Sequence, residues 1–474
     1  MSREKLKEEE IEFLAKEYKK NPQLFQRESF IDEPNFLKRF GIFIKEKEGF
    51  PLGYIKFWPQ DFIVEEITET NDIQTINLGD FLAKKITFWE KAPTIYATLV
   101  KCGLSTIEAV EEMSSILKID RKQIQFAGIK DKDAITSQLI SFRKINIKNL
   151  ETAQSPYFFL KNVYSGKGVI EVGSLKGNEF TVLVRTDSSF LKKNFIETLN
   201  KISEEGFYNF FYLQRFGTPR LINFYWGFFI LRGEYQKAAL SYLCAPGERE
   251  VPYFINLRKK IKENFGKWSE IEKILKPFPL IFKNEMKIVS YLKNNPRDFS
   301  GALNQIPEQV QLWIFALASL FFNKKLSEIL KGRQKLPEFL PLILSNDKKD
   351  WLFYKDILEK NGIFSIPFEN LKPFPHIQLR KRAIKTKEKV KILDYKIIKE
   401  GAILDFILPK AAYATAFLAH LFNLVSGLPP KDISAHPIDT KASLGKDSLE
   451  EVLNQFKDVI YPKTEDFIKK LSQE

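Results

Sequence analysis

Asp131 stands between two lysines in the stretch Lys130-Asp131-Lys132-Asp133, and a carboxylate so flanked is the first group in this chain that could do chemistry. Neighbouring cations favour the ionised form of a carboxylic acid. An ionised carboxylate held in place can attack as a nucleophile or take a proton as a general base. The polar knot lies between two mostly apolar runs, Ile124 to Ala127 and Leu139 to Phe142. Gly128, a residue type that can adopt backbone angles closed to others, opens it. Short apolar runs around a glycine and a charged cluster predict strand, tight loop, strand. Such a loop presents a side chain to a ligand from rigid flanks. The same residues also suit an ordinary solvated hairpin tip, because polar turns are common.

Two other stretches carry groups that could handle a polyanion. Asn209-Phe-Phe211-Tyr-Leu-Gln214-Arg215-Phe216-Gly217 sets aromatic faces beside an amide and a guanidinium. Aromatic rings stack on extruded bases, and Asn or Arg bonds base edges or phosphates. By residue type alone, Phe210 and Phe216 read as core. Between Arg380 and Ile392, Lys385, Lys387, Lys389 and Lys391 alternate with Thr386, Glu388 and Val390. In a single strand these lysines share one face. That face suits either an RNA backbone or the guarding of an exposed sheet edge.

The elements that must position these groups follow from periodicity. Phe62 to Ile67 has strand character. Phe81 to Ile119 reads as mostly helical, with Thr106 capping a segment through Ala109, Val110, Met113 and Leu117 that packs on the sheet carrying the loop. Val169 to Arg185 reads as strands around a turn at Lys176-Gly177, with Phe180, Val182 and Val184 alternating with Thr181, Leu183 and Arg185. Arg3 to Lys20 reads as a charged helix with an apolar stripe of Ile11, Leu14, Ala15 and Tyr18, ended by Asn21-Pro22 and packed on the main body. From about Tyr225 helices follow one another: Trp226 to Leu243, Phe254 to Leu275, Val310 to Leu330 and Trp351 to Asn361, with Gln311 to Asn323 as the buried one. A strand ends at Pro409 and a helix begins near Tyr413.

The whole chain sets bounds on these readings. Its 474 residues suit two or three domains. An excess of 74 Lys+Arg over 60 Asp+Glu, net +14, is spread along the chain and fits a polyanionic partner. Cys102 and Cys244 lie far apart, which argues against a disulfide scaffold and a cysteine-based metal site. His376, His420 and His436 form no ligand-spaced cluster, so no metal is expected. The longest strongly apolar run, Leu312 to Phe322, is too short to span a bilayer, and the charged N-terminus has no signal-peptide core, so the expected location is cytoplasmic. There is no glycine-rich phosphate loop and no internal repeat. No stretch reads as an assembly seam, which leaves the oligomeric state open with a monomer as the expectation.

Gly128-Ile-Lys130-Asp131-Lys-Asp-Ala134-Ile-Thr136-Ser-Gln138 resembles the signature loop of the TruD family of pseudouridine synthases, Gly-x-Lys-Asp-(Arg/Lys)-x-Ala-(Val/Ile)-Thr-x-Gln. Lys56-Phe-Trp-Pro59-Gln-Asp61-Phe62-Ile-Val-Glu65-Glu66 resembles the family's opening Lys-x-x-Pro-x-Asp-Phe-x-Val-x-Glu. Asn209 to Gly217 resembles its Asn-(Tyr/Phe)-Phe-Gly-x-Gln-Arg-Phe-Gly, with Tyr212 in place of glycine. Phe406-Ile-Leu408-Pro409-Lys-Ala-Ala-Tyr413-Ala414-Thr415 resembles its Phe-x-Leu-Pro-x-Gly-Ser-(Tyr/Phe)-Ala-Thr, with Ala411-Ala412 in place of Gly-Ser and Ala419-His420 in place of a following Arg-Glu.

The resemblance covers roughly Lys56 to Leu421. It implies an α+β protein of the pseudouridine-synthase fold, a mixed, largely antiparallel sheet with flanking helices. A charged extension over 1–50 precedes a catalytic domain of 51–224 and 372–474, and a largely helical TruD-specific domain over 225–371 is inserted in it. The implied activity is isomerisation of uridine in tRNA, at uridine 13, with tRNA as partner and no cofactor. Asp131 is the implied nucleophile. Lys56, Asn209, Phe211 and Tyr413 are the implied supporting and substrate-binding residues, and Lys130 is a further candidate beside them. The departures at Tyr212, Ala411, Ala412, Ala419 and His420 leave an alternative, a non-catalytic RNA-binding or RNA-folding protein on the same scaffold.

Overall fold

The computed structural model describes residues 3–26, 28–44, 49–78, 94–145, 147–191, 193–361 and 368–461. They form two compact units: one of the described residues up to 44 with Tyr208–Lys387, the other of those from 49 to Phe207 with the described residues from Glu388 on. Among the described residues no helix is long and apolar enough to cross a membrane.

The second unit is built on a mixed, largely antiparallel sheet. Ile135–Arg143 lies near its middle, parallel to Phe62–Ile67 and antiparallel to Thr94–Cys102. Phe62–Ile67 pairs antiparallel with Gly177–Arg185, which pairs with Gly401–Pro409 and through it with Lys391–Ile398. Phe158–Gly166 flanks Thr94–Cys102, and Leu52–Tyr54 runs parallel to Asn423–Ser426.

Side chains alternate across a strand, and both faces of this sheet are covered. Ile95, Ala97 and Leu99 meet the helix Thr106–Leu117 through Ala109, Val110, Met113 and Leu117. On the other face Ile63, Val100, Cys102 and Ile135 pack on Leu449, Val452, Phe456 and Ile460. Each fully buried Val, Leu or Ile side chain contributes about 1.5–3 kcal/mol, so the central strands are the rigid part of the unit.

Several expectations change here. Thr94–Cys102 is a strand, not part of a helix over Phe81 to Ile119; the part of that reading over 79–93 lies outside the described residues. Its alternating, β-branched sequence suits a pleat buried on both sides. Ser105 caps the following helix, accepting from the Glu108 N–H, which leaves the Thr106 hydroxyl for another task. Val169 to Lys176 is not a strand; the strand that precedes Gly177–Arg185 in the chain is Phe158–Gly166, which pairs with Thr94–Cys102 instead, and left-handed Gly168 and Gly173 (φ +91° and +93°) turn the chain between the two. The lysine run is not one strand but parts of three, Arg382–Lys385, Lys387–Glu388 and Lys391–Ile398, although Thr386, Glu388 and Val390 are buried as the alternation requires.

The first unit is helical. Its longest helix, Pro307–Lys331, carries the expected buried stretch, with Trp313, Ile314, Leu317, Phe321 and Asn323 inside. Asn223–Leu231 crosses it closely, since a Cβ on Gly227 would meet the Trp313 carbonyl. The helix Arg3–Lys20 packs by Leu14, which is buried, and by the edge-on contact of Phe13 with Phe278. The Glu10 carboxylate accepts from the Leu280 and Ile281 N–H groups, so this helix is part of the unit's body.

Candidate active site

Asp131 lies on the loop between Ile124–Phe126 and Ile135–Arg143. Its neighbours in sequence do not neutralise it. Lys130 points inward, 6% exposed, with Nζ 2.7 Å from Glu66 Oε2 and bonded to Asn178 Oδ1. Lys132 points toward Glu108, 3.5 Å away. On either side of the inward Lys130, Ile129 and the Asp131 side chain are exposed and face out. The cation on the Asp131 carboxylate is Lys56, whose Nζ lies 2.9 Å from Oδ1. The same ammonium sits 4.3 Å from the centre of the Phe62 ring, a cation–π contact.

Partial burial pushes the Asp131 carboxyl up. Lys56, by charge and hydrogen bond, and then Lys101 and Lys130 more than offset this, so it sits below the usual carboxylate range. The carboxylate is therefore ionised at neutral pH while its side chain remains 41% exposed. That combination suits a nucleophile or base that a ligand can reach.

The turn that delivers Lys56 is fixed from beneath. Asp61 accepts from the Trp58 N–H, and Arg185 grips it with Nε at 2.7 Å and Nη2 at 2.9 Å. Arg185 also donates to the Ser434 and His436 carbonyls, and both side chains of the pair are wholly buried. Above this anchor Lys56 itself has φ +60°. A left-handed conformation costs a residue with a Cβ roughly 1–2 kcal/mol, and such strain tends to persist where a side chain must be aimed.

The loop is held by main-chain contacts. Thr106 Oγ1 accepts from the Lys130 N–H at 2.9 Å and donates to Gln138 Oε1 at 2.8 Å. Gln138 Nε2 reaches the Gly128 carbonyl at 3.0 Å. Lys101, wholly buried, donates to the carbonyls of Asp131 at 2.6 Å and Leu104 at 2.8 Å and approaches that of Lys130 at 3.5 Å. Gly128 does not have the left-handed backbone expected of it; a Cβ there would meet nothing within 4 Å, so the space beside the loop is open.

Tyr413 immediately precedes the helix Ala414–Leu418 and is half-buried. Just before it Ala411 has φ +68°, the position where the family pattern has glycine. The backbone thus keeps its left-handed turn without the residue that adopts it freely. Ala411→Gly is expected to stabilise the protein by about 0.5–1 kcal/mol, the relief of strain less glycine's extra unfolded-state entropy. Urea unfolding at constant m-value measures it.

Asn209 and Phe211 belong to the helical unit. Asn209 is 3% exposed; its Nδ2 donates to the Lys385 carbonyl at 3.1 Å, while its buried Oδ1 has no hydrogen-bond partner among the described residues. Phe211 is buried edge-on to Phe322, and the Asn323 side chain bonds its N–H and its carbonyl. Tyr212 has ordinary extended backbone (φ −86°, ψ 179°), so no glycine is needed. Its buried ring reaches Asp32 through the hydroxyl at 2.8 Å, and Arg249 holds the other Asp32 oxygen at 2.8 Å.

The structure thus brings Lys56 onto Asp131 and turns the Lys130 side chain to Glu66. Sequence reading missed Lys101, Thr106, Gln138 and Arg185. Gln138 had its signal in the signature motif, and Lys101 left one as a lysine inside the apolar run of Ile95 to Cys102, since a charge in such a strand must find partners.

A model of the family TruD, tRNA pseudouridine synthase D, matches residues 40–341, more than half of the chain. A Methanosarcina acetivorans relative named "Probable tRNA pseudouridine synthase D" is 29% identical over 300 residues, 62% of this chain and 63% of that one, so the match spans just under two thirds of that relative's length. A Picrophilus torridus relative of the same name is 29% identical over 417 residues, 78% of this chain and 94% of that one. The crystal structure of a Methanosarcina mazei protein given the TruD name aligns with TM-score 0.54 at 23% identity, over 82% of this chain and 98% of that one, and shares the fold. On these matches and the loop geometry, the chain belongs to the TruD family.

Proposed function

We propose that this chain is a tRNA pseudouridine synthase that isomerises uridine 13 of tRNA, with Asp131 as its nucleophile. The observation that carries the proposal is the outward-facing Asp131 carboxylate held 2.9 Å from Lys56, a pair assembled from two separate family motifs. Isomerisation breaks the N1–C1′ bond, turns the base and joins C5 to C1′. The C5 proton leaves and N1 gains one, so no electrons pass to a co-reactant. Attack of Asp131 at C1′ makes and then breaks an ester; attack at C6 makes and breaks a bond to the base; as a base Asp131 instead takes a ribose proton and later returns it. All three routes need an ionised carboxylate, and all release the C5 proton.

The uridine must first leave its stack. By resemblance, Phe211 and Tyr413 hold the freed base and Asn209 orients it or the nucleophile; the open acceptor on Asn209 is in keeping with a polar ligand. Residues 225–371 are assigned as the inserted domain that grips the RNA, and 51–224 with 372–474 as the catalytic domain. The net charge of +14 supplies salt-sensitive affinity for tRNA.

Lys56→Met tests the pairing. Loss of an ion pair to a carboxylate this exposed corresponds to at most about 1 kcal/mol, or roughly a five-fold drop in rate. Lys56 is the strongest influence holding the Asp131 pKa down, so without it the carboxylate protonates at higher pH. The acid limb of the single-turnover rate then moves up in pH; an unmoved limb would remove Lys56 from this role. The function itself is tested with transcripts carrying tritium at uridine C5: steady release on adding the protein supports it. Binding of tRNA with no release would favour an RNA-binding protein without catalysis.

A further inference from the structure

Lys101 is left without a task by the chemistry above. It lies in Thr94–Cys102, a strand paired on both sides, opposite Thr136 and Phe158. Its neighbours Val100 and Cys102 are apolar and buried, and any of their kind would sit in this strand more readily. Burial brings the Lys101 ammonium down to about 7, because its charged form has been taken out of water. What the lysine gains is a set of main-chain oxygens, those of Asp131, Leu104 and Lys130. Two of the three belong to the reactive loop, and one belongs to Asp131 itself.

The other holds on this loop end on the same few atoms. Thr106 takes the Lys130 N–H, and Gln138 takes the Gly128 carbonyl. The Asp131 main chain has only Lys101 beneath it among these three, while its side chain faces outward to Lys56. A rotation of the Asp131 peptide would swing the carboxylate away from any reacting carbon, and misplacement by about 1 Å can lower a rate 100-fold.

We infer that Lys101 is a positioning residue for the reaction: it fixes the main chain of Asp131 from inside the sheet and so aims the carboxylate, without touching the RNA. The inference rests on the reading of Asp131 as the reacting group. It differs from a purely structural role, which would alter unfolding and leave the rate of folded protein alone.

The test compares the full chain with Lys101→Met, which keeps the length and apolar stem and removes every donor, and with Lys101→Gln, which keeps an N–H donor. Single-turnover tritium release, tRNA affinity and thermal unfolding are measured on each. The expected result for Lys101→Met is a rate about 100-fold lower with tRNA affinity within about two-fold of wild type, and for Lys101→Gln a partial recovery of rate. Folded Lys101→Met turning over at the wild-type rate would overturn the inference; if it does not fold, Lys101→Gln with lowered thermal stability and the wild-type rate, the outcome of a purely structural role, overturns it. The two levels of failure separate cleanly. Wild type that releases no tritium overturns the reading of function and the inference with it. Active wild type, inactive Asp131→Asn and fully active Lys101→Met overturn the inference alone.

Discussion

Replacing Asp131 by Asn is expected to lower the rate of pseudouridine formation by about 10⁴-fold or more, the scale on which removal of a covalent nucleophile acts. Asn keeps the size and one carbonyl oxygen but loses the negative charge. It can neither form the ester at C1′ nor add to C6 at a useful rate. The rest of the protein is expected to tolerate the change. The Asp131 side chain is 41% exposed, and an ion pair at such exposure contributes at most about 1 kcal/mol. The Lys101 contact is to the main-chain oxygen and survives. Affinity for tRNA should hold or rise, because an anion has been removed from a surface that receives phosphates. Asp131→Ala serves as a control against slow hydrolysis of the new Asn back to Asp. Activity of Asp131→Ala near that of wild type would contradict the assignment.

Arg185→Ala is expected to destabilise the protein by about 3–5 kcal/mol, because it leaves the Asp61 charge buried without its partner. Asp61 and Arg185 are wholly buried and joined by two hydrogen bonds. The same guanidinium ties down the Ser434 and His436 carbonyls, so both are left unsatisfied as well. A domain has only about 5–15 kcal/mol to lose, so the loss is visible as a large fall in the urea midpoint. The double change Asp61→Asn with Arg185→Ala should be less harmful than the single one, since no buried charge remains. The functional consequence travels through the turn that carries Lys56, which loses its anchor. A midpoint for Arg185→Ala within the scatter of wild type would show that the pair does not hold this turn.

How much of this was legible in the chain depends on the range of the contact. Local pattern placed the loop: apolar runs on either side of Lys130 to Asp133 became Ile124–Phe126 and Ile135–Arg143. It placed Phe62–Ile67, the end of Gly401–Pro409 and the long buried helix Pro307–Lys331 for the same reason. It misread Thr94–Cys102 although Pro93 and Gly103 bracket it, because apolar runs of this length suit helix and strand alike. Pairings across the fold left no local trace. Asp131 has a lysine on either side, yet its cation is Lys56, brought by the parallel pairing of Phe62–Ile67 with Ile135–Arg143. Arg185 entered only as one member of an alternating strand and proved to be a buried partner of Asp61. The Ala411 departure was one of those that left a non-catalytic alternative, and φ +68° shows a left-handed turn made there without glycine.

The measurement closest to the central claim is chemical mapping of pseudouridine, at single-nucleotide resolution, on unmodified tRNA transcripts incubated with wild type and with Asp131→Asn. The expected result is one new mark, at uridine 13, with wild type only. A mark at another uridine would keep the chemistry and overturn the target. No mark on any tRNA, from folded protein that binds tRNA, would contradict the account.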